Sequence, residues 1–305
     1  MNIRTLALLA SISLLLSSIS SQAEDKAGTP KIRVILIDGQ NNHDWRTTTP
    51  ILKKELESCG RFTVDVTSNL KKGDKPGKIE PTIPFPPDLS KYDVVLSNYN
   101  GEPWPKAFQQ ALDDSLKEGK IALAIVHAAN NAFEGWKEYN QMIGMGWRGN
   151  KFGARLTLDA AGKEKRIDKG SGPGAGHGPK HPFQVIVRDR THPITKGMPA
   201  QWMHASDELY HGMRGPVEHV TLLATAFSDK ATGGTGEHEP MIWTVSYGKG
   251  RVFHTPMGHD AEAMRCYGFI ATLQRGTEWA ATGKVTVPLP KEFPSPEKVS
   301  LAPQK

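Results

Sequence analysis

Four residues far apart in the chain, His43, His127, Glu208 and His259, are of the types that exchange protons near neutral pH. Imidazole and carboxylate together serve as general base and general acid. The same set is also a ligand set for zinc or another divalent ion. No HExxH or HxH pair occurs, so such a site has to be gathered from separate loops. Spacing alone assigns no cofactor. Trp45, Trp104 and Trp136 each fall just past an expected strand end. A tryptophan face suits the apolar C–H side of a sugar. Asn98 and Asn130, with Asn41, Asn42, Asn100 and Asn131, offer partners for its hydroxyls, and Tyr210 and His211 extend the lining beyond Glu208. His177, His181, His219 and His238 lack such a setting and read as surface residues, and His192, before Pro193, reads as a turn residue. His204 and His254 are intermediate.

The elements that must carry these groups alternate. Ile32–Ile37 and Ile121–Val126 read as buried strands, Phe62–Val66 alternates like a strand, and Tyr92–Ser97 reads as another. Between them, Thr49 and Pro50 open a helix that stops at Gly60, and a second helix runs from Pro105 to Glu118. This alternation implies an α/β, doubly wound, mostly parallel sheet. In such sheets ligands bind beyond the carboxyl ends of the strands, where His43 and His127 emerge. Gly144–Lys180 is glycine-rich and without period, a loop insertion of a length that usually has a function. Pro240–Ser246 and Arg251–Thr255 form a hairpin ahead of His259, and a closing helix runs to about Thr282.

The 305 residues carry a formal charge of +6. Arg4, the apolar Leu6–Leu16 and the small residues at Ser21–Ala23 read as a cleaved signal peptide over residues 1–23, which predicts a periplasmic or secreted protein with no stable membrane insertion after cleavage. Residues 24–30 are a linker, 31–283 the domain and 284–305 a proline-rich tail. Lys71, Lys72, Lys75 and Lys78 cluster among prolines and glycines, which fits a solvated loop and not a nucleic-acid groove. Cys59 and Cys266 are expected as free thiols. The turn after the first strand lacks GxGxxG, and no GxxxxGK[ST] is present, so nucleotide cofactors fit poorly.

Several motifs in this order carry a family likeness: His43-Asp44-Trp45, Ile125-Val126-His127-Ala128-Ala129, Thr191-His192-Pro193-Ile194, Asp207-Glu208-Leu209-Tyr210, and Tyr247-Gly248-Lys249-Gly250-Arg251-Val252-Phe253 leading to Gly258-His259. The chain resembles the ThuA-like, or trehalose-utilisation, family over roughly Lys31–Thr282. The resemblance implies a flavodoxin-like sheet of the class I glutamine amidotransferase kind and a link to sugar use, oxidised (keto) disaccharides included. Amidotransferases of that fold hold a cysteine nucleophile after a central strand. Here His127 stands in that place, which argues against a thiol ester mechanism. The expectation is an exported enzyme acting on a glycoside or keto-sugar. His127 and His259 shuttle protons, Glu208 acts as acid/base or orients one of them, and His43 and the tryptophans position the sugar. The alternatives are a non-catalytic sugar-binding or scaffold module and a metal-dependent hydrolase. A small carbohydrate is the expected partner; the oligomeric state is left open.

Overall fold

The computed structural model describes residues 30–159 and 161–304, so the expected signal peptide lies outside the described residues. Among the described residues no helix is long and apolar enough to cross a membrane. Strand β1 (Ile32–Asp38) is buried nearly throughout. The chain then forms α1 (Trp45–Ser58), β2 (Phe62–Ser68), β3 (Val94–Ser97), α2 (Lys106–Lys117), β4 (Ala122–Val126) and α3 (Lys137–Ile143). A second half follows with β5 (Arg155–Leu158), β6 (Glu164–Ile167), β7 (His181–Val187), β8 (Gln201–Asp207), β9 (Val220–Phe227), β10 (His238–Tyr247) and β11 (Gly250–Thr255). Helices α4 (Ala261–Met264) and α5 (Tyr267–Thr282) close it.

The sheet is mixed, which corrects the expectation of a mostly parallel one. Its order is β2-β1-β3-β4-β11-β10-β9-β7-β8, with β5 and β6 branching from β10. Pairing is parallel from β2 to β11 and antiparallel from β11 onward. The second half therefore consists of hairpin-type connections, which need no crossover helix. Towards the outer edge burial begins to alternate, as in β7, whereas β10 is buried on both faces. The two faces of the parallel half are covered separately. Val34, Leu36, Val94 and Ala124 pack under α1 and α5; Ile35, Val95, Leu123 and Ile125 pack under α2 and α3. That is the doubly wound arrangement expected.

Three local expectations change. Helix α1 starts at Trp45, a turn before Pro50, because the Asp44 side chain caps it by accepting from Thr47 N. Pro50 then lies inside the helix, where it has no N–H for the Arg46 carbonyl. The glycine-rich insertion holds the β5–β6 hairpin, which joins the sheet through Leu158 and His238. Residues 201–207 form a strand, β8, which no clear apolar alternation announces. The proline-rich tail is a strap ordered as far as it is described. It lends Ser295 O to Met203 N at 2.8 Å along the outer edge of β8, and Ser300 O to Tyr267 N at 2.9 Å. A strap over an edge strand blocks part of its ladder from pairing elsewhere. Cys59 and Cys266 are free thiols, as expected.

Candidate active site

Strand direction decides which loops meet. β1, β4 and β11 are parallel, so His43, His127 and His259 all leave the same edge. Four antiparallel steps separate β11 from β8, an even number, so β8 also ends at that edge and delivers Glu208 there. β7 runs against β8 and starts at the same edge, which brings His177 in just before it.

The five side chains converge. Glu208 Oε2 lies 3.6 Å from His43 Nε2 and 3.7 Å from His127 Nε2. Glu208 Oε1 lies 3.2 Å from His259 Nε2 and 3.5 Å from His177 Nε2. The rings of His43 and His127 meet edge to face with centroids 4.7 Å apart, and those of His43 and His259 at 4.8 Å. Every imidazole turns its other nitrogen to an acceptor. Nδ1 faces Asn41 Oδ1 in His43 at 3.4 Å, Pro256 O in His127 at 2.7 Å, Gly178 O in His177 at 2.7 Å and Asp260 Oδ2 in His259 at 3.3 Å. These acceptors draw the ring proton to Nδ1 and leave the Nε2 lone pairs directed at a carboxylate, the outer-shell arrangement of metal-binding histidines.

Charge is distributed unevenly. Desolvation pushes the fully buried His127 down to about 4, so it is neutral at neutral pH. Burial raises the Glu208 carboxyl, but the approach of His43 and the potential of His259, His127 and His177 outweigh it and hold the group below its ordinary value. Glu208 is thus an ionised carboxylate, and its buried Oε2 has no hydrogen-bond donor among the described residues. His127 also has a left-handed backbone, φ 46°, directly after β4. A non-glycine residue pays for that conformation, and such strain collects at functional turns.

Two loops are tied together beneath the cluster. Asp207 accepts from the backbone N–H of Glu208 at 2.7 Å, of Gly258 at 2.7 Å and of His259 at 3.1 Å. Gly258 has φ 104°, and a Cβ there would stand 2.8 Å from the Phe269 ring, so only glycine lets the chain turn into His259.

The sequence matches the ThuA family, described as trehalose utilisation, over residues 33–280. This chain belongs to the ThuA family. That membership suggests a role in sugar metabolism. The crystal structure of a ThuA-like protein from Parabacteroides merdae is similar to it at 40% identity and a TM-score of 0.81, covering 90% of this chain and 98% of that one. A second ThuA-like protein, from Bacteroides uniformis, shares the fold at 18% identity and a TM-score of 0.56, covering 87% of this chain and 96% of that one. No curated protein gives a significant match.

Within this ThuA chain the other candidate residues separate. Tyr210 belongs with the cluster: its hydroxyl is 3.1 Å from His127 Nε2. Trp104 and Trp136 are corrected from sugar platforms to core. They pack with Phe85, Tyr99, Phe108, Phe133 and Tyr139, and are 2% and 7% exposed. Their strand-end positions put them under the loops and not on them. Trp45 is likewise buried, with the Arg46 guanidinium stacked on its ring. Asn98 is scaffold: its amide donates to Thr48 Oγ1 and Thr49 Oγ1 and locks β3 to α1. Asn130 is scaffold too, 3.2 Å from His254 Nε2 in a fully buried contact. His211 is corrected as well. It approaches Ser228 Oγ and lines a different cleft with Arg155 and Glu237. Arg148 serves carbonyls of residues 130–132 and does not pair with Glu208.

His177, expected at the surface, and Asp207 are the members of this arrangement that sequence reasoning did not nominate. The only signal for His177 is its place in an insertion too long for a plain loop. Asp207 stands beside Glu208 in a polar run, with nothing local to say which carboxylate turns inward.

Proposed function

We propose that this protein is an exported enzyme of sugar metabolism, acting on a keto-sugar or glycoside, with a divalent cation held by His43, His127 and Glu208. The observation that carries the reading is the meeting of Nε2 lone pairs with an ionised carboxylate. Their ligand atoms all lie within 4.8 Å of one another. Ligands about 2.0–2.1 Å from a tetrahedral zinc stand about 3.3–3.4 Å apart, so the 3.6 and 3.7 Å contacts need little contraction. Lone pairs this close repel unless positive charge lies between them. Burial denies His127 the proton. A cation supplies the charge instead.

A bound divalent ion would supply Lewis acidity towards a sugar carbonyl or hydroxyl oxygen. The protein's own groups do the rest. His259 and His177, on the Oε1 side, are the more open imidazoles, with side chains 22% and 34% exposed. For a keto-sugar, His259 takes the proton on the carbon beside the carbonyl. The electron pair moves into the adjoining carbon–carbon bond, the glycosidic bond breaks, and the proton taken by His259 passes to the departing oxygen, with His177 beside it. The Pro256 carbonyl, at Nδ1, holds the His127 ring in place.

One contact favours a second reading, metal-free acid–base catalysis. The Tyr210 hydroxyl donates to His127 Nε2, which satisfies that lone pair without an ion. Elemental analysis of purified protein and zinc titration by calorimetry decide between them. The cation reading expects one ion per chain and its loss in Glu208→Gln and His127→Ala. Mass spectrometry with trehalose, other disaccharides and their oxidised ketone forms tests the reaction, and periplasmic fractionation tests export. Protein that binds no divalent ion yet converts a keto-disaccharide establishes the second reading.

A further inference from the structure

Beside the cluster, on the side of His43 and His259, opens a cleft of about 710 Å³. That is within the range of about 300–1,000 Å³ for small-ligand sites. It is lined by Asn42, Asp44 and Thr47 of the loop and first turn of α1, and by Glu262 of α4. The C-terminal strap also lines it, through Leu301 and Gln304.

The strap is held there by its backbone. Ala302 N donates to Arg265 O at 2.8 Å, and Arg265 donates back to Ala302 O through Nε and Nη2 at 2.8 and 2.6 Å. Leu301 forms a bridge with Cys266. Its side chain nevertheless stays out, 37% exposed. Among the described residues only Phe227 is another large apolar side chain so exposed. The strap backbone is thus fixed while more than a third of Leu301 is left open at the cleft, available to a ligand. Glu262 and Gln304, both exposed, line the same space.

We infer that residues 301–304 of the strap form the outer wall of the substrate cleft, with Leu301 against the apolar face of one ring of a neutral disaccharide and Gln304 and Glu262 at its hydroxyls. The inference rests on the sugar reading above and names the recognition element for it. An amide, a carboxylate and a hydroxyl facing one exposed aliphatic group is the lining that a polyhydroxylated, uncharged ring requires. A phosphorylated sugar fits less well, because Asp44, Asp260 and Glu262 line the cleft against the single guanidinium of Arg265, which is already engaged by Ala302.

The test is calorimetric binding of trehalose, and of the ketone made from it by oxidising one ring hydroxyl, to the full-length zinc-treated protein. The parent is compared with Leu301→Asp, Leu301→Met and Gln304→Ala. The expected result is binding to the parent and to Leu301→Met, weakened about tenfold or more in Leu301→Asp and several-fold in Gln304→Ala. Ion content should stay unchanged, because Leu301 is not one of the clustered groups, and melting temperature should fall only slightly, because the residue is 37% exposed. Equal binding by Leu301→Asp and the parent overturns the wall role and leaves the sugar reading standing. Binding of neither sugar by the parent overturns both.

Discussion

Asp207 Oδ2 accepts a hydrogen bond from His204 Nε2 at 2.8 Å, and neither side chain reaches solvent. Burial alone pushes His204 down; its bond to Asp207, together with the Cys266 thiol, outweighs that and holds it up at about 9. The pair is therefore an imidazolium and a carboxylate, closed off beneath the loops that carry Glu208 and His259. Removing one partner strands the other charge, at a cost of about 3–5 kcal/mol. Asp207→Ala is expected to lose that much in denaturant unfolding, and to weaken zinc binding beyond what lost stability explains, since Glu208 and His259 lose their common anchor. Unchanged ion affinity in the folded variant would show that the anchor is structural only.

The same pair sets an alkaline limit. The folded pKa of His204 lies above its ordinary 6.5. Its contribution is complete below pH 6.5 and is lost as pH rises through about 9. Stability measured by denaturant titration should decline over that interval in the parent, and the decline should be absent in His204→Gln.

An acid limit comes from His254. It is buried between Ile143 O and Asn130, and desolvation pushes it down to about 3. The unfolded chain takes up a proton near pH 6.5 that the folded chain refuses. Stability is thus complete above that pH and falls as pH drops towards about 3. His254→Asn should be less stable at pH 7 but show a shallower fall in acid. A parent whose melting temperature is flat from pH 7 to 4 contradicts this.

The left-handed backbone of His127 predicts an unusual order among its variants. Glycine adopts φ 46° without strain, and alanine does not. His127→Gly should therefore be more stable than His127→Ala by about 1 kcal/mol. Both should lose divalent-ion binding.

Trp104 separates core from platform. Truncating a buried aromatic costs about 3–5 kcal/mol. Trp104→Ala should pay this in stability, while the folded fraction binds sugar within twofold of the parent. A selective loss of sugar binding at full stability would restore the platform role.

The parallel half of the fold was legible because its strands are apolar on both faces and its helices carry plain stop signals such as Gly60 and Gly119. The second half was less legible. β8 mixes Trp202 and Ala205 with His204 and Asp207, and buried polar residues disguise a strand as a loop. His43, His127 and His259 could be nominated because strand ends in a doubly wound sheet share an edge, and Glu208 because it stands in a run of polar residues. Trp104 and Trp136 followed the same positional rule and were misplaced, since position along the chain does not say whether a side chain points above the edge or below it.

By itself, then, the sequence determined the family, the alternating architecture and four members of the cluster, because these follow from local periodicity and the order of short motifs. Tertiary structure alone decided that His177 joins them, that Asp207 turns inward while Glu208 turns outward, and that the strap returns to the cleft. Those outcomes depend on strand direction across the antiparallel half and on hydrogen bonds between residues more than fifty positions apart, such as Asp207 with Gly258 and His259. No local pattern encodes such bonds.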